Sequence, residues 1–308
     1  MMNKRDKKRF VVIDGHHLIH RAFYAIQNPL RTSFGEQTNA VYGFGSMLLN
    51  IIDVEQPDYI AMTFDEKAPT FRHDMHDEYK GTRKKAPDEL YAQIPRIREM
   101  VRAFNMPIYS EEGFEADDMM GTLARIAEAQ GMEVYIVTGD MDAMQLITPS
   151  IRVAFPHKGY KEPLIYDAQR VIDKYGITPK QVVDYKALMG DSSDNIKGVQ
   201  GIGPKGALNL LTEYKTLDGI YENLIEIKGK IHERLKEGRE DAYFSQKMAR
   251  IVTDVPNDFK KEDACMDTLD YLGFDRFLES LEMKSLRSRL RKTVPEEKLQ
   301  PADQMKLF

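Results

Sequence analysis

The sequence predicts an α/β fold with a mainly parallel central sheet, and three observations predict it. Three short runs, 10–13, 59–64 and 134–137, are apolar and rich in β-branched residues, as strands buried on both faces are. Helical apolar spacing fills the intervals at about 38–54, 88–104 and 116–130, so strand and helix alternate as in parallel sheets covered on both sides. Each strand run also leads into an aspartate: Asp14, Asp65 and Asp140. The carboxyl ends of parallel strands face the ligand crevice of such sheets, so three acids delivered there would converge.

In chain order, the basic start MMNKRDKKRF leads straight into the first strand, without the apolar stretch of a signal peptide. Residues 66–87 break the alternation. They are polar, carry Pro69 and Pro87, and are too long for a simple connection, which marks a functional loop or lid. From about 167 onward the pattern is wholly helical, with a glycine-punctuated stretch at 198–206, and 293–303 reads as a polar, flexible tail. No apolar run approaches the roughly 18–20 residues that cross a membrane. The single cysteine, Cys265, excludes an intrachain disulfide and a Cys-rich zinc site, and it fits a reducing cytosol. The expectation is a cytoplasmic protein, monomeric, with no membrane contact. A net charge of −5 argues against a nucleic-acid partner only until metal-bound acids are discounted, because bound cations reverse the local field.

Beyond the strand-end aspartates, Glu115, Asp117 and Asp118 open a helix, Asp142 follows Asp140 by two, and Asp191 and Asp194 stand three apart. Each has an ordinary role: N-cap, helix-dipole partner or solvated turn. Three acids in four residues nevertheless repel one another, which a cation relieves. Nine such acids without His or Cys partners suit hard, oxygen-preferring ions such as Mg²⁺ or Mn²⁺. Two ions about 3.5–4 Å apart clamp a phosphate, activate water and stabilise the leaving oxygen, so phosphodiester hydrolysis is the natural chemistry. His16 and His20, at i,i+4, are a weaker zinc pair, with a core or surface role as the alternative.

The runs IDGHHLIHRAFYA (13–25), TFDEKAPTFRHDMHDEYKGTRKKAP (63–87), EADD (115–118), TGDMD (138–142) and ALMGDSSDNIKGVQGIGPKGA (187–207) resemble the bacterial 5′ nuclease family. That family includes the N-terminal nuclease domain of DNA polymerase I, phage 5′ nucleases and flap endonucleases. The resemblance covers about residues 9–290. It implies a PIN-like α/β nuclease domain over 1–180 with a helical arch at about 66–95. It further implies a helical DNA-binding region over 181–292 with a helix-hairpin-helix at about 194–215, and a tail over 293–308. It makes Asp14, Asp65, Glu115, Asp117, Asp118, Asp140, Asp142, Asp191 and Asp194 the metal-site acids. Lys197 stands where many relatives carry proline, Gly206 where many carry threonine, and His16 and His17 where small polar residues are usual.

The same resemblance makes 66–95 the arch that passes a 5′ single strand. Lys80 and Arg83, with Arg21 from the first helix, are the expected phosphate-steering residues. Arg72, Tyr79, Lys84 and Lys85 are the expected strand contacts, cations following phosphates and aromatics stacking on bases. Gly198, Gly201, Ile202, Gly203 and Lys205 form the expected hairpin, whose free amides bind duplex phosphate and whose carbonyls hold K⁺ in many relatives. The last residues, QMKLF, resemble a sliding-clamp-binding peptide with Gln304, Leu307 and Phe308 as its anchors. The function implied is a structure-specific 5′ nuclease, 5′-3′ exonuclease and flap endonuclease, acting on DNA in replication and repair.

Overall fold

A computed structural model of the protein describes residues 6–300. Six strands, β1 (Arg9–Asp14), β2 (Tyr59–Thr63), β3 (Ile108–Tyr109), β4 (Glu133–Val137), β5 (Ile151–Phe155) and β6 (Leu164–Tyr166), form one sheet. Its order is β3-β2-β1-β4-β5-β6, and every pairing is parallel except β5 with β6. The three strands read from sequence are the central ones, buried on both faces. The three that escaped notice lie towards the edges, where strands are short or carry polar residues such as Arg152.

Alternate residues of β1 point to opposite faces, as a period of two requires. Val11 and Ile13 enter one core with α1 (Gly15–Ala25), α2 (Asn39–Glu55) and, beyond the insertion helices α3 (Phe71–Met75) and α4 (Asp88–Tyr91), α5 (Ile94–Ala103). Phe10 and Val12 enter the other with α6 (Ala116–Ala129) and the helical layer. That layer runs through α7 (Ala168–Tyr175), α8 (Val182–Met189), α9 (Pro204–Tyr214), α10 (Leu217–Glu222), α11 (Lys230–Glu237) and α12 (Arg239–Ala249).

Two corrections concern the insertion and the C-terminal helices. The helix expected over 88–104 is two, because Pro95 lacks the amide that an interior position needs and suits a first turn, so the helix restarts at Ile94. The arch expected over 66–95 contains the short helices α3 and α4, joined by turns, before α5 begins at Ile94.

α13 (Tyr271–Ser280) and α14 (Lys284–Thr293) return to the α/β unit instead of extending the helical region to 292. Phe274 stacks on Phe104 at 4.5 Å, Leu286 and Leu290 join the core of Val11 and Ile13, and Arg289 reaches Asp53 at 2.5 Å. The basic sequence of α14 hid this, because Arg287 and Arg291 are spent on Asp275 at 3.0 and 2.8 Å. The clamp-peptide residues Gln304, Leu307 and Phe308 lie outside the described residues.

Candidate metal centre

Asp14 closes β1 and caps α1: one carboxylate oxygen accepts from the His17 amide at 2.9 Å, the other from the Thr138 hydroxyl at 2.7 Å. The N-cap role and a position in the site therefore coincide. Asp65, two residues past β2, accepts from the Ala116 amide at 2.7 Å, while its own amide donates to His16 Nδ1 at 3.0 Å. Asp140, three past β4, is turned by the Asp142 amide at 2.8 Å. Together with Glu115 and Asp117 at the start of α6, these acids line one chamber of about 310 Å³. A second chamber of about 370 Å³ adjoins it, lined by Asp140, Asp142, Asp191 and Asp194, with His17 and Arg83 shared between the two.

Eight of the nine expected acids thus meet in a pair of contiguous chambers. Asp118 does not. It is fully buried, held by Arg72 at 2.6 and 2.9 Å and by the Val252 amide at 2.8 Å. The same pairing removes Arg72 from any DNA surface: it is 3% exposed and also donates to the Met248 and Arg250 carbonyls. Tyr79 is likewise buried, its hydroxyl between Glu115 and Asp194 at 3.2 Å each, so it offers no face to a base. Arg21 lies near His17 but lines neither chamber.

Lys84 and Lys85 are exposed, as strand contacts must be. In the hairpin, Gly203 and Lys205 are exposed, whereas Ile202 packs into the core. The Gly198 amide is spent on Ser245 at 3.1 Å, leaving no donor for phosphate.

Among the described residues, no group of three or more His, Cys, Asp or Glu side chains is already set to hold an ion. Basic groups stand among the acids instead. Lys80 Nζ bonds Glu115 at 2.6 Å, Arg83 bonds Asp194 at 2.5 Å, and Lys186 Nζ lies between Asp142 and Asp191, 2.6 Å from the latter. Lys186 is not among the expected site residues; it sits five residues before Asp191, immediately ahead of the run 187–207. His16, His17 and His20 also line the acid chamber. Their i,i+4 spacing was the available signal.

The electrostatics suit a cation. Burial, and then repulsion from Asp65 and Asp140, pushes the Asp14 carboxyl up to about 6. Burial, and then repulsion from Asp140, Asp14 and Glu115, raises Asp117 well above the usual range. Asp142 is pushed up to about 6 by burial, with Asp140 adding to it against the pull of Lys186. On Asp191, burial is outweighed by Lys186 and Ser193, and its carboxyl falls to about 2. Burial pushes His17 down to about 4, leaving the imidazole neutral. Desolvated carboxylates crowded without enough counter-charge are what a hard divalent ion relieves, so the donor set fits Mg²⁺ or Mn²⁺.

Fold and site together define an α/β protein with an acid-lined cleft at the carboxyl edge of a parallel sheet. Residues 9–176 match the description "5'-3' exonuclease, N-terminal resolvase-like domain", and residues 177–271 match "5'-3' exonuclease, C-terminal SAM fold". The chain belongs to the 5′-3′ exonuclease family.

DNA polymerase I of Bacillus caldotenax is 43% identical over 289 residues, covering 91% of this chain and 33% of that protein. DNA polymerase I of Caldicellulosiruptor bescii is 41% identical over 284 residues, covering 92% and 33%. The chain thus spans about a third of the length of these relatives. Among solved structures, the bacteriophage T5 D15 flap endonuclease, in a complex with DNA and metal ions, superimposes with a TM-score of 0.67 at 18% identity. That match covers 90% of this chain and 98% of the other. T5 5′-exonuclease with zinc bound gives 0.66 at 20% identity, covering 90% and 99%. These two likenesses establish the fold.

Proposed function

We propose that the chain is a structure-specific 5′ nuclease that cleaves DNA at 5′ flaps and 5′ ends, using two or more divalent ions, Mg²⁺ or Mn²⁺. The observation that carries this reading is the meeting of Asp14, Asp65, Glu115, Asp117 and Asp140, from four separate stretches of chain, in one chamber. These residues, continued by Asp142, Asp191 and Asp194 past Asp140, would hold the ions. Bound there, the ions supply charge neutralisation for the phosphate and an activated water at neutral pH.

The remaining side chains position and polarise. Lys80 and Arg83 line the acid chamber and favour the negative charge that builds on the phosphate oxygens. Arg72 on Asp118 fixes the first turn of α6, and with it Glu115 and Asp117. Lys84 and Lys85 guide the single strand. The exposed start of α9, at Gly203 and Lys205, takes duplex phosphate without reading sequence, with K⁺ at the hairpin carbonyls. Primer removal and repair are the roles this activity serves, and the QMKLF tail tethers the enzyme to a sliding clamp.

A labelled 5′ flap incubated with Mg²⁺, Mn²⁺ or chelator tests the activity. Products mapping to the flap junction, in metal only, are expected; a flap left intact in both metals overturns the proposal. Deleting 304–308 should spare oligonucleotide cleavage and abolish clamp retention; unchanged retention would remove the tether.

A further inference from the structure

The second chamber differs in character from the acid one. Besides its acids it has walls of Met141, Met144, Ile177, Val182, Tyr185 and Met189, supplied by the loops after β4 and α7 and by α8. Its volume of about 370 Å³ falls within the roughly 300–1,000 Å³ of small-ligand pockets. Holding ions uses none of these apolar walls. At one side Tyr175 donates to Met141 Sδ at 3.5 Å, and Met141 is 42% exposed, a large apolar side chain left at the opening.

We propose that this chamber receives an unpaired nucleobase, that of a nucleotide flanking the phosphate held among the acids; the inference rests on the nuclease reading above. Continuity names the occupant. Asp140, Arg83 and His17 line both chambers, so one nucleotide with its phosphate in the acid chamber has its base beside the second. A base carries two flat apolar faces, which tyrosine and methionine walls cover. Among the six wall residues the Tyr185 hydroxyl is the single side-chain donor and the methionine sulfurs are only weak acceptors, so these walls cover a base's faces more than they read its edge. Methionine adapts to any base shape, as an enzyme indifferent to sequence needs. Entry requires a base out of its stack. That costs least at a branch or frayed end, so the chamber itself contributes selectivity for branched DNA.

The test crosses enzyme with substrate in single-turnover cleavage. Flaps carry either a normal nucleotide or an abasic one on each side of the cleaved phosphate, and the enzymes are wild type, Tyr185→Ala, Tyr185→Phe and Met141→Ala. At one of the two positions the abasic flap should be cut roughly tenfold more slowly by wild type, the scale of one base stack. Tyr185→Ala should lose a similar factor on the normal flap and little more on the abasic one, while Tyr185→Phe keeps the rate. Equal rates of wild type on all flaps, or losses that simply multiply, would overturn the proposal. If Tyr185→Ala does not fold, Met141→Ala at the exposed opening carries the same cycle. A wild type that cuts no normal flap defeats the nuclease reading instead, so the two failures are distinguishable.

Discussion

Asp117 and Asp118 are neighbours in sequence with opposite fates, because the helical turn of about 100° per residue sends one into the chamber and the other into the core. Asp118 meets Arg72 there, and the pair is buried on both sides. Arg72→Ala leaves a buried carboxylate without its partner and should cost about 3–5 kcal/mol in urea unfolding. Lys84→Ala should stay within about 0.5 kcal/mol. A small effect at Arg72 would return it to the surface. Asp117→Asn or Asp140→Ala should slow cleavage at least about 100-fold, while gel-shift binding of the flap persists.

The same acids make stability depend on pH in chelator. Folded Asp14 and Asp142 keep their protons to about pH 6, whereas the unfolded chain releases them near 3.8. Their contribution is complete below about pH 4 and is lost as pH rises through 6, on the order of 3 kcal/mol for each. Asp191, at about 2, acts in the opposite sense and only in strong acid. The urea midpoint in chelator should therefore decline between pH 4 and 6. Asp14→Asn should flatten the decline, and Mg²⁺ at pH 7 should reverse it. A midpoint indifferent to both changes would contradict this account.

At the scale of elements, the hairpin between α8 and α9 separates glycines needed for folding from those open to a partner. Gly198 has φ +63°, and a Cβ there would lie 2.2 Å from the Gly190 amide nitrogen. A Cβ on Gly203 meets nothing within 4 Å. Gly198→Ala should destabilise by more than about 2 kcal/mol, from both the left-handed backbone and the collision. Gly203→Ala should leave the thermal midpoint nearly unchanged yet weaken flap binding, because it interrupts the approach of a phosphate. If Gly203→Ala binds as wild type, the duplex lies elsewhere. The turn over 76–83 is tied to this same hairpin: Asn195 donates to the Glu78 carbonyl at 3.0 Å, and the Lys80 amide donates to the Asp194 carbonyl at 3.1 Å.

At the scale of the molecule, the last two described α-helices belong to the first domain. Phe274, Leu278, Leu286 and Leu290 are 0–2% exposed in the core beneath α2 and α5. Removing everything after 268 should cost several kcal/mol and abolish the cooperative melt of the α/β unit, although the matched family descriptions end at 271. Limited proteolysis of the shortened chain would show it, and a protected α/β fragment would refute it.

The sequence by itself determined the central strands, the parallel sheet and eight of the acids that share a cleft, because continuous apolar runs, strand-end and helix-start positions and close acid spacings are local patterns. It could not distinguish Asp117 from Asp118, or recognise Arg72 and Tyr79 as buried. All four lie in polar stretches, and only distant partners, Met248, Arg250 and Asp194, decide which way they face. The edge strands, the return of α13 and α14, and Lys186 between Asp142 and Asp191 were likewise settled by tertiary structure. Each depends on residues far apart in the chain packing together, and no periodicity records such a contact.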